Sequence, residues 1–315
     1  MHPPHHHTSL TMHLYATGFN AWRQLEFDSP QKSSEEPDDI TSFQKVLTHT
    51  SIDSLYASLT YTSVRTASEL QPAGFPDDDV ESSGLNPKLL SSTAAIAGNG
   101  KVAECDEEGT IRQHASVSSL IHQTSPEVYS FPGRTFIQIE AYETGFVALD
   151  SDGCVWTWGD ERYAACLGRE VTSECPAAEP QKVVDLQDLP SGPIKKIAAA
   201  GYLGLALTEE QDLYAWGGHP SRAAILEGLS TIPMYVAVEE RDIVDFATGE
   251  CHIIVVADDG AIYAIGDNTN GQLGLPIELT RSWMKVSVPL ANDERIKEVK
   301  AGPRSSFIIT APQVP

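Results

Sequence analysis

Residues 243–274 read Ile243-Val244-Asp245-Phe246-Ala247-Thr248-Gly249, then Glu250-Cys251-His252, then the apolar run Ile253-Ile254-Val255-Val256. The chain continues through Asp258-Asp259-Gly260 into Ile262-Tyr263-Ala264-Ile265-Gly266. It closes the unit with Asp267-Asn268-Thr269-Asn270-Gly271-Gln272-Leu273-Gly274. Two short strands joined by an Asp-Gly turn predict a β-hairpin, because glycine accepts the positive φ that such turns demand.

The unit recurs upstream. Ile197-Ala198-Ala199-Ala200-Gly201 leads to Leu205-Ala206-Leu207, a polar turn, and Leu213-Tyr214-Ala215-Trp216-Gly217. Before it, Phe146-Val147-Ala148-Leu149 meets Asp150-Ser151-Asp152-Gly153 and then Val155-Trp156-Thr157-Trp158-Gly159. Weaker copies begin at Ala97-Gly98-Asn99-Gly100-Lys101-Val102, with a turn at Glu108-Gly109, and at Leu55-Tyr56-Ala57-Ser58, which runs to Ala73-Gly74. Anchor glycines fall at 18, 74, 159, 217 and 266, with a degenerate equivalent near His114. These intervals lie close to the roughly 40–50 residues of a four-stranded propeller blade.

Each end of the chain holds half a unit. Val299-Lys300-Ala301-Gly302 and Phe307-Ile308-Ile309-Thr310 form a first half, whereas Leu14-Tyr15-Ala16-Thr17-Gly18-Phe19-Asn20, then Gln24-Leu25, form a second half. Pairing the two removes two exposed sheet edges, which is what ring closure requires. The expectation is an all-β, single closed β-propeller with six detectable repeat units, six or seven blades, and a last blade completed by the N-terminal strand. The propeller spans residues 13–311, and residues 1–12 form a flexible His/Pro-rich tail.

The 315 residues suffice for a buried core, and 41% hydrophobic with 21% charged residues fits a soluble globular chain. No apolar run approaches the roughly 18 residues of a membrane helix, and residues 1–9 are polar and His-rich, unlike a secretory leader. A cytoplasmic or nuclear location, or both, is the resulting expectation. A formal charge of −23, with Lys195-Lys196 the only adjacent basic pair, argues against direct nucleic-acid binding. The five cysteines, Cys105, Cys154, Cys166, Cys175 and Cys251, are odd in number and contain no Cys-x-x-Cys. Reduced and mostly buried thiols are expected, with no disulfide framework or structural zinc.

The strand–turn–strand pattern ending in Trp/Tyr-x-Trp-Gly and Gly-x-Asn-x-x-Gly-Gln-Leu-Gly resembles the regulator of chromosome condensation repeat. Residues 266–274 match it almost fully, 18–25 match with Arg23 in place of a usual glycine, and 159–168 carry one extra residue and lack the Gln. Members of that family are usually seven-bladed. A short acidic chain looks most like the family's fungal alpha-tubulin-suppressor type. That likeness implies a regulatory partner subunit, paired with a small zinc protein that serves diphthamide synthesis and tRNA modification. The founding member instead implies guanine nucleotide exchange on a Ran-type GTPase. There, several blades carry a His after the Ala/Cys-Gly region; the equivalent slots here read Tyr61, Lys101, Gly145, Gly204, His252 and Ser305, a single His.

No motif carries catalysis: Gly98-Asn99-Gly100-Lys101 lacks phosphate-loop spacing, and there is no nucleophile elbow or His-Glu-x-x-His. No enzyme activity, cofactor or metal is expected, although His5-His6-His7 with His2 is a loose imidazole cluster. Function therefore falls to a non-enzymatic, monomeric scaffold that binds protein, a small basic or zinc-binding partner by charge and resemblance; a small GTPase is the alternative. Candidate partner-binding residues are Trp22, Asp77, Asp78, Asp79, Glu107, Glu108, His252 and Trp283. Burial is expected over exposure for Trp22 and Trp283, and a structural role over a functional one for His252. Trp156, Trp158 and Trp216 are expected between blades. The acid-rich stretches, Glu35-Glu36-Pro37-Asp38-Asp39 included, are expected as solvated loops or as a landing site for a basic partner.

Overall fold

A computed structural model describes residues 11–27, 36–75, 92–106 and 108–313. The expected tail, residues 1–12, falls almost wholly outside them. Alternating apolar and small residues give short antiparallel strands. The first of these, β1 (Met12–Gly18) and β2 (Ile40–His49), belong to one sheet with the chain's last two. The second sheet holds β3 (Ser54–Ala57), β4 (Tyr61–Arg65) and β5 (Leu70–Gly74). The third holds β6 (Ala94–Ile96), β7 (Val102–Cys105), β8 (Thr110–His114) and β9 (Glu127–Ser130). In the fourth are β10 (Phe136–Tyr142), β11 (Gly145–Asp150), β12 (Val155–Gly159) and β13 (Gln181–Lys182). The fifth comprises β14 (Ile194–Ala200), β15 (Leu203–Thr208), β16 (Leu213–Gly217) and β17 (Met234–Tyr235). The sixth comprises β18 (Ile243–Thr248), β19 (His252–Ala257), β20 (Ile262–Asp267) and β21 (Leu279–Val286). Finally β22 (Glu294–Gly302) and β23 (Ser305–Pro312) join β1 and β2 in the order β2-β1-β23-β22.

Six sheets of antiparallel neighbours make six blades of a β-propeller, the sequence count, and one fewer than is usual for the family the motifs resemble. Ring closure takes the expected form and goes one strand further. Residues 13–18 of β1 pair antiparallel with 310–305 of β23, so the N-terminus supplies two strands of the shared blade and the C-terminus the other two.

In the fourth, fifth and sixth blades the core lies on the second strand from the axis: β11, β15 and β19 are buried along their whole length. Between blades, tryptophans do the filling. Trp158 stacks on Phe146 (5.2 Å) and donates its indole N–H to Gln113 Oε1 of the preceding blade, at 2.9 Å. Trp216 donates to the Cys166 carbonyl at 2.9 Å, again one blade back. These placements accord with the expectation for both.

The innermost strands share a device. Register shifts fall at Phe136/Gln138, Ile194/Lys196, Ile243/Asp245 and Ile296/Glu298, the same position in four blades. A β-bulge of this kind re-aims a side chain, and here the re-aimed residues stitch blade to blade. Gln138 donates to the Ile197 carbonyl (2.8 Å) and accepts from the Ile197 N–H (3.1 Å). Lys196 pairs with Asp245, whose other oxygen accepts from the Val299 N–H at 2.7 Å. Lys297 Nζ reaches the Ile52 carbonyl at 2.9 Å and carries the belt across the closure.

The closure blade has its own latch. Glu294 on β22, with only 5% of its side chain exposed, accepts from Tyr15 Oη of β1 at 2.9 Å. It also lies 3.4 Å from Lys45 Nζ of β2 and 3.5 Å from His13 Nε2. Burial, reinforced by that carboxylate, holds the Tyr15 phenol above its ordinary range. Glu294→Ala is expected to cost about 2–3 kcal/mol, because a buried phenol and a cation lose their common partner. Urea unfolding of the variant against wild type measures this; an unchanged midpoint refutes the latch.

Candidate functional site

Antiparallel blades place their connections at two ends of the ring. One end carries the tight turns between second and third strands, such as 150–153 and 258–260, with the links to the next blade. The other carries the first-to-second turns, such as 58–60 and 201–202, together with the long third-to-fourth loops. The repeat motif lies in those long loops, and its geometry explains its residues. Asn268 Oδ1 accepts from the Leu273 N–H (2.6 Å), and Gln272 Oε1 accepts from the Asn270 N–H (2.9 Å). In the N-terminal copy Asn20 Oδ1 accepts from Leu25 N–H (3.1 Å), and Gln24 Oε1 from Trp22 N–H (3.0 Å). The same fold of the loop puts Gly271 at φ +81° and Arg23 at φ +58°, so Arg23 occupies a left-handed position that favours glycine.

Trp22 contributes its backbone to that motif, and its side chain is left at the surface, 46% exposed. Here the expectation of burial fails: the loop is held by main-chain and amide bonds and makes no packing demand on the indole. Trp22 meets Phe75 edge-on at 6.3 Å, and Phe75 is itself 43% exposed. Leu59 adds a third exposed apolar side chain, on the turn whose carbonyl accepts from Gln24 Nε2 at 2.9 Å. Gly74, at φ +84°, brings the chain close beneath; a Cβ there would stand 2.9 Å from that of Gln24. Buried Gln24 thus fixes the turn that carries Leu59 under a loop from the neighbouring blade. Leu59 and Phe75 escaped the sequence reading. Their one signal is position, beside a turn and directly after an anchor glycine.

The same end carries a second aromatic group: Tyr163, Tyr202 and His219, with Tyr202 centred 5.1 Å from Tyr163 and 4.6 Å from His219. Along the axis, the innermost strands enclose spaces of about 310 and 500 Å³ toward the two ends. Gln138, Glu140 and Lys300 line both. Burial raises the Glu140 carboxyl against the pull of Lys300. Burial pulls Lys300 down, but Glu298 at 2.6 Å, with Glu140 and Asp245, outweighs it and leaves the ammonium raised. These groups face partners within the belt.

The remaining candidates are dispersed. His252 is fully buried, its Nε2 3.0 Å from Ser306 Oγ, and burial lowers it to about 4, so it offers nothing to a partner at the surface. Trp283, on β21, is half-buried and packs against the core shared by the fifth and sixth blades. Glu108 is exposed, but on the tight-turn end, opposite Trp22. Asp77, Asp78, Asp79 and Glu107 lie outside the described residues. Acidic side chains near the sequence runs are partly engaged: Asp39 accepts from Asn20 N–H (2.9 Å) and Asn270 Nδ2 (2.8 Å), and Asp106 accepts from Arg112 (2.6 Å). The cysteines are free, but only Cys166 is buried; three are half-buried and Cys251 is exposed, against the expectation of mostly buried thiols. Register also moves two of the compared slots: Leu203 pairs with Gly217 and Val102 with His114 as His252 pairs with Gly266, so the residues are Leu203 and not Gly204, and Val102 and not Lys101.

The model of the regulator of chromosome condensation (RCC1) repeat matches residues 243–272, and a second model of the same repeat matches 259–309. The human regulator of chromosome condensation is 27% identical over 177 residues, 55% of this chain and 40% of that protein. These matches place the regulator of chromosome condensation repeat at residues 243–309 of this chain. Human HERC6, described as a probable E3 ubiquitin-protein ligase, is 30% identical over 145 residues, 44% of this chain and 14% of that protein. The match thus spans less than half of each of these relatives. Among solved structures, human WBSCR16 superposes with a TM-score of 0.69 at 14% identity, covering 96% of this chain and all of that one. Prp20p of Saccharomyces cerevisiae, a structure described with its binding to Gsp1p and histones, gives 0.55 at 14% identity, covering 96% and 92%. At such identities the likeness is one of fold. On the loop face, Trp22, Leu59 and Phe75 bring three exposed apolar side chains together.

His252 yields a pH prediction. Its folded value lies below the unfolded 6.5, so between about 6.5 and 4 the unfolded chain binds the extra proton. Its contribution is therefore fully present above 6.5 and lost as pH falls toward 4, by up to about 3 kcal/mol. Urea unfolding at pH 7 and pH 4.5 should show His252→Gln losing less stability than wild type over that interval; parallel losses refute the assignment.

Proposed function

We propose that this propeller is a non-enzymatic docking scaffold whose loop face, centred on Trp22, Leu59 and Phe75, seats a protein partner. The observation that carries the reading is the exposed Trp22–Phe75 pair, set on rigid blades and clamped from below by Gln24. Adjacent exposed aromatics on a fixed frame lose little ordering entropy on binding, and tryptophan is enriched among the residues that dominate interfaces. The partner is a basic protein, because a chain of −23 attracts positive charge over a Debye length and repels acidic surfaces. The family resemblance narrows it to a small, zinc-bearing regulatory protein of the diphthamide and tRNA-modification type. Asp77, Asp78 and Asp79 follow Phe75 closely in sequence and belong to the negative charge that draws such a partner.

A second reading, nucleotide exchange on a Ran-type GTPase, draws support from the likeness to the regulator of chromosome condensation and to Prp20p. Against it stands the solitary and buried His252 among the six compared slots.

Affinity capture on the immobilised chain at 50 and 300 mM salt separates the two. The scaffold reading expects a small basic protein that is retained at low salt and released at high salt. Trp22→Ala with Phe75→Ala should weaken its binding by roughly thirtyfold or more, about 2 kcal/mol, with an unchanged thermal midpoint. Full retention of the partner by the double variant overturns the assigned face. Catalytic acceleration of mant-GDP release from a Ran-type GTPase would replace the scaffold reading altogether.

A further inference from the structure

A cavity of about 320 Å³ opens on the loop face over the fifth and sixth blades, flanked by Glu143 of the fourth and Arg304 of the shared blade, and has no lining residue in common with the Trp22 patch. Its composition runs against the rest of the molecule. In a chain with 21 basic and 44 acidic residues, Arg222 and Arg304 converge on this one space. Arg222 is exposed, lies over the Tyr202 ring at 5.7 Å, and makes no ion pair among the described residues. Arg304 is about half exposed and only 3.9 Å from Glu250, a long and weak pairing. The third donor is His219. Its Nδ1 accepts from the Ser221 N–H at 3.0 Å, which leaves the proton of a neutral ring on Nε2.

These groups make two kinds of wall. Guanidinium forks with an imidazole N–H suit a phosphate, whose oxygens accept several charge-assisted bonds. Tyr202 and His219, backed by Ile225 and Leu229, suit a flat ring. Two carboxylates, Glu143 and Glu250, also line the space. They would repel a bare anion, but they accept hydrogen bonds from N–H or O–H groups at the far end of a larger ligand. The volume falls at the lower end of small-molecule sites, roughly 300–1,000 Å³.

We propose that this pocket binds a small phosphate monoester that carries an aromatic ring, nucleoside monophosphates included, through Arg222, Arg304 and His219 on the phosphate and Tyr202 on the ring. The site is separate from the proposed protein-docking patch and does not depend on it.

Titration calorimetry on the full chain tests the proposal with four probes: phenyl phosphate, adenosine monophosphate, phenol and inorganic phosphate. At least one of the two ring-bearing phosphate esters should bind saturably at one site per chain, and at least tenfold more tightly than phenol or inorganic phosphate. Arg222→Ala and Arg304→Ala should each weaken it at least tenfold at unchanged thermal midpoint, since both side chains are at the surface. Trp22→Ala should leave it unaltered, which keeps this outcome apart from that of partner docking. The exposed Cys251 thiol at the rim supplies a second readout: bound ligand should slow its alkylation by iodoacetamide. No saturable binding of either ring-bearing phosphate ester, equal affinity for inorganic phosphate, or arginine variants that bind as wild type does would each overturn the assignment.

Discussion

The fold depends on one seam, the main-chain ladder between β1 and β23. It joins residues about 290 positions apart in sequence, so its loop-closure entropy is met only when the intervening blades are already in place. Without the seam, β1 with β2 and β22 with β23 would be two-stranded ribbons with exposed edges, a form marginal in water at best. With it, they become a four-stranded blade like the others. The Glu294 cluster fixes the register of that seam by tying β22 to side chains of both N-terminal strands.

The belt of bulged residues performs a related task around the axis. Each inner strand has one edge toward its own blade and one toward the channel, where its polar groups would otherwise meet only water. Gln138 acts as a surrogate peptide for Ile197, and Asp245 serves both Lys196 and the Val299 amide. Such cross-blade bonds restrain the relative tilt of the blades, and the loop ends inherit that rigidity. A frame of this kind holds exposed aromatics in place without asking them to pack, which is the condition for a docking patch with a low ordering cost.

The two features of the loop face use charge differently. The patch around Trp22 is apolar, and the docking proposed there would draw on the overall negative field to bring a basic partner near. The cleft beside Tyr202 gathers two of the few arginines and leaves one of them unpaired among the described residues. Long-range attraction is indifferent to the placement of individual charges, whereas a cleft selects by geometry at hydrogen-bond distance.

Sequence by itself determined the architecture. The period of the hairpins, the positive-φ glycines and the complementary half units at the two termini require antiparallel blades in a closed ring, because local turn chemistry and edge pairing are properties of the chain pattern. It also foresaw buried Trp158 and Trp216 and the structural character of His252. Tertiary structure decided what faces solvent together. Trp22 looked like a residue to be packed, and its exposure follows from a motif that uses only its amide. Leu59 and Phe75 come from the next blade, and Tyr202, His219 and Arg222 lie on loops of the fifth blade whereas Arg304 lies on a turn of the shared blade, beyond the sixth. No spacing rule connects them, since the distance between two loop tips is set by how blades wedge around the axis and not by the residues that separate them along the chain.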